Sequence, residues 1–91
     1  MSIRYSTVAV LQLDSIGQYI ALDSPLTAQV VIMRIRAAVG RLQTFPRSGR
    51  SGSAPGTFEL VIKGLPYIIV YEVKQNVDVT ILNVFHGAQD R

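Results

Sequence analysis

Two periods of apolar residues run along this chain, and the change from one to the other divides it. Ala9, Leu13, Ile16 and Ile20 recur at spacings of four, three and four, the rhythm of one helix face. Ser6 or Thr7 in front of them supplies an N-cap. Asp23-Ser24-Pro25 ends that helix and opens another, with Ser24 as N-cap and Pro25 at the first helical position. The second helix is expected to run to about Leu42. Ala28, Val31, Ile32, Ile35, Val39 and Leu42 form its core stripe. Val30, Met33 and Ala37 lie on roughly the opposite side at ~100° per residue, beside Arg34 and Arg41. A helix apolar on two sides is usually covered on both, so this second side is expected to meet another chain. Its bland alternative is a set of small to medium side chains left at an ordinary surface.

Residues 45–56 hold three glycines, two prolines and three serines, which no helix accommodates, and they read as a loop. Beyond it the rhythm becomes two. Residues 57–63 place Phe58, Leu60 and Ile62 on one side of a strand. Gly64-Leu65-Pro66 turns the chain, residues 67–74 form a largely buried strand, and Gln75-Asn76 turns it again before a last apolar strand over 77–86. Short connections imply hairpins. Ile3-Arg4-Tyr5 is a short β-prone opening. The pattern predicts an α+β fold: an N-terminal helical hairpin packed on a three- to four-stranded antiparallel sheet.

Composition narrows the chemistry. Ninety-one residues suit a single domain spanning 1–91. The lack of cysteine excludes disulfide scaffolds and thiolate zinc sites, and a lone histidine, His86, excludes a histidine-rich metal site, so no metal and no cofactor is expected. An apolar fraction of 48% and a mean hydropathy of +0.30 are far from a disordered tail. No apolar run approaches the ~20 residues that span a bilayer, and no signal peptide opens the chain, so the expected location is the cytoplasm, away from membranes. Charge is uneven. Five arginines (Arg34, Arg36, Arg41, Arg47, Arg50) fall between Ser24 and Phe58 without a single acid, which favours an anionic partner or simply solvates that stretch.

Two places offer candidate chemistry. Arg47 and Arg50 flank Gly49 on the loop, where guanidinium forks suit phosphate or carboxylate. No Gly-Lys-Ser/Thr follows, so this is not a Walker A loop, and the partner of these arginines stays open between protein, DNA and water. His86 closes the last strand. Ribonuclease chemistry needs a base, cations for the phosphorane and an acid for the leaving oxygen, and Glu59, Lys63, Tyr67, Tyr71, His86 and Arg50 are residues of suitable type. Any basic α+β domain offers a comparable set, and a strand-end histidine serves as readily in capping backbone groups. No Gly-x-Ser-x-Gly elbow supports a serine hydrolase. Tyr67 and Tyr71, on one side of their strand, suit either base stacking or a sheet–helix interface.

The order of these pieces resembles the RelE/ParE superfamily of bacterial type II toxins, and within it the ParE-like branch. The resemblance rests on Ala9, Leu13, Ile16 and Tyr19-Ile20 in the first helix, and Ser24-Pro25 with Ala28 opening the second. It continues through a Leu-x-x-Phe-Pro-x-x-Gly-Arg corner (Leu42, Phe45-Pro46, Gly49-Arg50), Gly56-Thr57, Glu59-Leu60 and Pro66-Tyr67-Ile68-Ile69-Val70-Tyr71. Ile81-Leu82 and His86-Gly87-Ala88 close it. The resemblance implies a helical hairpin over an antiparallel sheet. It also implies the toxin of a toxin–antitoxin (plasmid stabilisation) system, held in a hetero-oligomer by a ParD-like antitoxin. ParE-like members are associated with DNA gyrase and RelE-like members with mRNA cleavage on the ribosome; an inactive antitoxin-binding relative is a third outcome.

In the ribonuclease alternative His86, Arg50 and Lys63 would act. Family members often carry Arg where Phe58 and Glu72 stand here, and no tyrosine lies in Gln89-Asp90-Arg91; these departures weigh against that branch. Antitoxin binding is expected on Val30, Met33, Arg34, Ala37 and Arg41, where a disordered acidic tail could fold.

Overall fold

The computed structural model describes residues 2–75 and 77–87. Strand β1 (Ser2–Tyr5) leads into helix α1 (Thr7–Ala21) and helix α2 (Pro25–Gly40), which passes through a 3₁₀ turn (Arg41–Gln43). Four strands follow: β2 (Arg50–Ser51), β3 (Thr57–Val61), β4 (Tyr67–Lys74) and β5 (Asp78–His86). Both helix starts are capped as their sequences require: Ser6 Oγ accepts from the Ala9 N–H at 3.0 Å, and Ser24 Oγ from that of Thr27 at 3.2 Å. Pro25 sits in the first turn of α2, where its missing N–H costs nothing. Gly40 ends α2, and Leu42 reaches the core from the 3₁₀ turn rather than from the helix.

The sheet has five strands in the order β1-β5-β4-β3-β2. The expectation of three or four antiparallel strands holds for β2 to β5, but β1 adds a fifth, parallel to β5 with Ser2 opposite Asp78 and Tyr5 opposite Ile81. Its partner lies at the other end of the chain, so no local pattern announces the pairing. Side-chain hydrogen bonds fix it at both ends. Ser2 Oγ donates to Asp78 Oδ1 at 3.0 Å, and Ser6 Oγ, besides capping α1, donates to the Leu82 carbonyl at 3.0 Å. Leu82 is the extra residue of a bulge, since Val70 faces Asn83 and Tyr71 faces Ile81. Past the end of β1, the Val84 N–H donates to Gln12 Oε1 at 2.6 Å, so α1 satisfies the strand edge that β1 leaves open.

Alternation puts Phe58, Leu60, Tyr67, Ile69, Tyr71, Val73, Val79, Ile81 and Val84 under the helices. They pack with Ala9 and Leu13 from α1 and with Val31, Ile35, Ala38 and Val39 from α2. Each fully buried Ile or Leu stabilises the fold by about 1.5–3 kcal/mol. Ile32, placed in the core stripe by its spacing, is half-buried against Gly17, where α2 crosses α1. The turn expected at Gln75-Asn76 is present as far as Gln75, in the left-handed region at φ 57°; Asn76, like Ala88 and Gln89-Asp90-Arg91, lies outside the described residues. Among the described residues no helix is long and apolar enough to cross a membrane.

Candidate functional site

The Leu-x-x-Phe-Pro-x-x-Gly-Arg corner is tied to the sheet at three places. Tyr71, fully buried on β4, sends its hydroxyl up to the corner, where it accepts the Gly49 N–H at 2.9 Å. Gly49 must be glycine: a Cβ there would stand 2.7 Å from the Glu59 carbonyl oxygen and 2.8 Å from the Tyr71 hydroxyl. The next residue, Arg50, brings Nε to 3.1 Å and Nη2 to 2.9 Å from the same oxygen of Glu59. Arg47 lies over the Phe58 ring at 5.5 Å, and Phe58 in turn stacks on Tyr71 with ring centres 5.5 Å apart. Burial pushes the Tyr71 phenol above its ordinary pKa, opposed by the Gly49 and Ser48 hydrogen bonds and by the Arg47 charge.

The corner therefore spends its arginines on the fold. Glu59 is 8% exposed on the sheet face away from the helices. Its Arg50 partner is more than half exposed, and the pair holds β2 beside β3. On the same face Lys74 Nζ lies 3.9 Å from Glu72 Oε1. Glu72 thus places an acid beside a cation on this face.

The three residues of the ribonuclease alternative do not converge. His86 lies directly across from Tyr67 at one end of the sheet, on the helix side, with the two rings edge to face at 5.7 Å. Lys63 sits in the β3–β4 turn at that same end, and its carbonyl accepts Arg34 Nη2 at 2.6 Å. Arg50 is on β2, level with Glu59, Val70 and Asn83 and on the other face. Three strand spacings separate β2 from β5, roughly 14 Å. Among the described residues no three His, Cys, Asp or Glu side chains gather as metal ligands.

Val30, Met33, Arg34 and Ala37 on α2 and Arg41 at the start of the 3₁₀ turn are all exposed, and Leu26 extends their stripe by one turn. Arg34 leaves the stripe to reach across Gly64, so its guanidinium joins α2 to the β3–β4 turn. A second exposed apolar stripe went unread in the sequence: Val8, Leu11 and Tyr19 on α1, with Leu22 just past its end. Its spacing was available, but Ser15 interrupts the run, and the stronger Ala9-Leu13-Ile16-Ile20 series accounts for the helix by itself. Val8, Leu11, Ser15 and Tyr19 form one wall of a groove of about 580 Å³, whose other wall is Tyr67, Val84, Phe85 and His86.

Comparison with known proteins joins this geometry to a family. The profile of the ParE toxin of the type II toxin–antitoxin system, parDE, matches residues 3–91. The chain is 45% identical over 87 residues to the Sinorhizobium fredii protein Y4kP, covering 96% of this chain and 88% of that one. It is 33% identical over 81 residues to the toxin RelE2 of Caulobacter vibrioides, covering 89% of each. Among solved structures, a chain of the chromosomal ParDE toxin–antitoxin system from P. aeruginosa superposes with a TM-score of 0.82 at 27% identity, covering 94% of this chain and 95% of that one. The isolated E. coli RelE toxin shares the fold, with a TM-score of 0.71 at 14% identity over 98% of this chain and 86% of that one. A profile match across nearly the whole chain, on a fold with the same hairpin and sheet, settles membership: this chain belongs to the ParE family of type II toxins, within the RelE/ParE superfamily.

Proposed function

We propose that this chain, acting in the cytoplasm as a single toxin domain, arrests growth by binding DNA gyrase rather than by cleaving RNA, and that a ParD-like antitoxin neutralises it. The observation that carries the reading is the neutralised open face of the sheet. Stabilising a phosphorane requires cations aimed at one point. Here Arg50 is held on Glu59, Lys74 lies beside Glu72, and His86 belongs to the opposite face. Membership of the ParE family supports gyrase as the target.

Neutralisation is assigned to the outward stripe of α2, where Val30, Met33 and Ala37 offer apolar area, while Arg41 in the following turn and the exposed Arg34, reaching towards the β3–β4 turn, would meet carboxylates of an acidic antitoxin tail. Similar proteins support a hetero-oligomer: the P. aeruginosa relative comes from a ParDE system, and an E. coli relative of the same fold was solved as a RelBE toxin–antitoxin complex.

Pulse-labelling of DNA and protein synthesis after inducing this chain alone in bacteria tests the target. Early loss of DNA synthesis, followed by inhibition of purified gyrase, is expected. Early loss of protein synthesis would overturn the reading in favour of a ribosome-dependent ribonuclease using His86, Arg50 and Lys63. If neither falls, the chain is an antitoxin-binding relative without a toxic activity.

A further inference from the structure

The Leu-x-x-Phe-Pro-x-x-Gly-Arg corner holds one large side chain that the fold leaves unused. Leu42 is buried, Gly49 sits where no side chain fits, and Arg50 is held on Glu59. Phe45 is 63% exposed and has no place in the core. A single exposed aromatic needs no explanation in general, but this one is held in position. Its N–H donates to the Arg41 carbonyl at 3.0 Å, and its own carbonyl accepts the Ser48 N–H at 3.1 Å. Pro46 restricts the Phe45 backbone from the other side. Beyond it, Arg47 lies over the Phe58 ring and the Gly49 N–H is bound by the Tyr71 hydroxyl. The sheet thus supports a stiff corner that presents Phe45 to solvent.

The surroundings of the ring are polar and basic. The hydrogen bond from Phe45 back to Arg41 sets these two residues one helical turn apart, with Cβ atoms about 5–6 Å from each other. Arg47 follows two residues later. Both arginines are exposed, as are Gln43, Thr44 and Ser48. No acid occurs between Ser24 and Phe58. An aromatic centre with flanking arginines and a polar rim is the make-up of an interface anchor, and a backbone already set in place lowers the cost of ordering it on binding.

We propose that Phe45 is the anchor by which this toxin docks on gyrase, its ring entering an apolar pocket whose rim carries carboxylates for Arg41 and Arg47. The assignment rests on gyrase being the target. Geometry separates this contact from the antitoxin stripe. At ~100° per residue, Phe45 stands roughly a quarter-turn round from the centre of the stripe of Leu26, Val30, Met33 and Ala37, with Arg41 between them. A tail laid along α2 therefore covers Met33 without covering the Phe45 ring, yet it reaches Arg41. Neutralisation follows from that shared arginine: an antitoxin holding Arg41 takes one of the target's contacts and crowds the approach to Phe45.

Inhibition of supercoiling by purified gyrase and calorimetric titration with antitoxin, on the same preparations of the full chain, read the two surfaces separately. Phe45→Ala should raise the toxin concentration that halves supercoiling by about tenfold or more, while antitoxin affinity stays within about twofold of wild type. Its urea midpoint should match wild type, because the ring fills no core space. Phe45→Tyr keeps the ring and should inhibit as wild type does. Arg41→Glu should weaken both activities. If wild type inhibits gyrase and Phe45→Ala inhibits it equally well, the anchor is overturned while gyrase stands as the target. Loss of antitoxin affinity in Phe45→Ala with inhibition intact also overturns it, and gives the corner to the antitoxin. A wild-type chain without effect on gyrase removes the target and the anchor together.

Discussion

Tyr71 concentrates the residue-scale logic of the fold. One side chain fills the core, supports the Phe58 ring and accepts the Gly49 N–H that positions Arg50. Tyr71→Phe keeps the ring and removes the acceptor, so the Gly49 N–H is left unpaired at a cost of about 1–2 kcal/mol. Urea denaturation at neutral pH should show that loss with an unchanged m-value; wild-type stability in the variant would mean that the hydroxyl holds nothing. A second consequence concerns pH. The folded phenol has a pKa raised above the ordinary 10.0 of the unfolded chain, chiefly by burial. The folded state therefore binds the proton more tightly, and this contribution is intact below pH ~10 and is lost as pH rises from there through the folded pKa. The alkaline fall in stability should be shallower in Tyr71→Phe but not abolished, because burial also raises Tyr5. The corner itself was legible in the sequence as a string of residues. The reason for each was not, because Gly49 and Arg50 answer to Tyr71 and Glu59 on other strands.

At the scale of elements, α1, α2 and the strands β3 to β5 were legible because each carries its own periodicity and its own stop signals. Ser24-Pro25 and Gly64-Leu65-Pro66 act within a few residues of the structure they control. Strand β1 was legible only as β-prone, since its partner is 76 residues away and its pairing is fixed by Ser2 and Ser6 acting across that separation. The α2 stripe was legible as well, and its exposure now makes it testable. Met33, 68% exposed and without a role in the core, can become Asp at little cost to folding while placing a carboxylate against an acidic partner. Met33→Asp should weaken antitoxin binding by about tenfold or more, measured by calorimetry on the purified pair. Arg34→Glu is the less clean variant, because it also releases the Lys63 carbonyl and loosens the β3–β4 turn. Undiminished affinity in Met33→Asp would move the antitoxin to another face.

Across the whole molecule, charge is distributed in a way no single element reveals. The run from Tyr5 to Met33 carries two acids and no cation, and the run from Arg34 to Arg50 carries five arginines and no acid. Folding keeps much of that second run at the surface, with Arg34, Arg36, Arg41, Arg47 and Arg50 all exposed. An acidic antitoxin tail of the kind proposed would meet a field spread from α2 to the corner before it touched any one residue. Such a field accelerates encounter and is screened by salt, whereas the short-range contacts that follow are screened much less. The association rate should accordingly fall by about tenfold or more when ionic strength rises from ~0.05 M to ~0.5 M, with a much smaller change in the dissociation rate. Stopped-flow mixing of toxin and antitoxin at several salt concentrations separates the two rates. Converting Arg36 and Arg41 together to Gln should flatten the salt dependence of association while leaving the apolar stripe of Val30, Met33 and Ala37 intact. An association rate indifferent to salt would mean that the arginine-rich stretch only solvates the surface, and that the antitoxin finds this toxin through apolar contact alone.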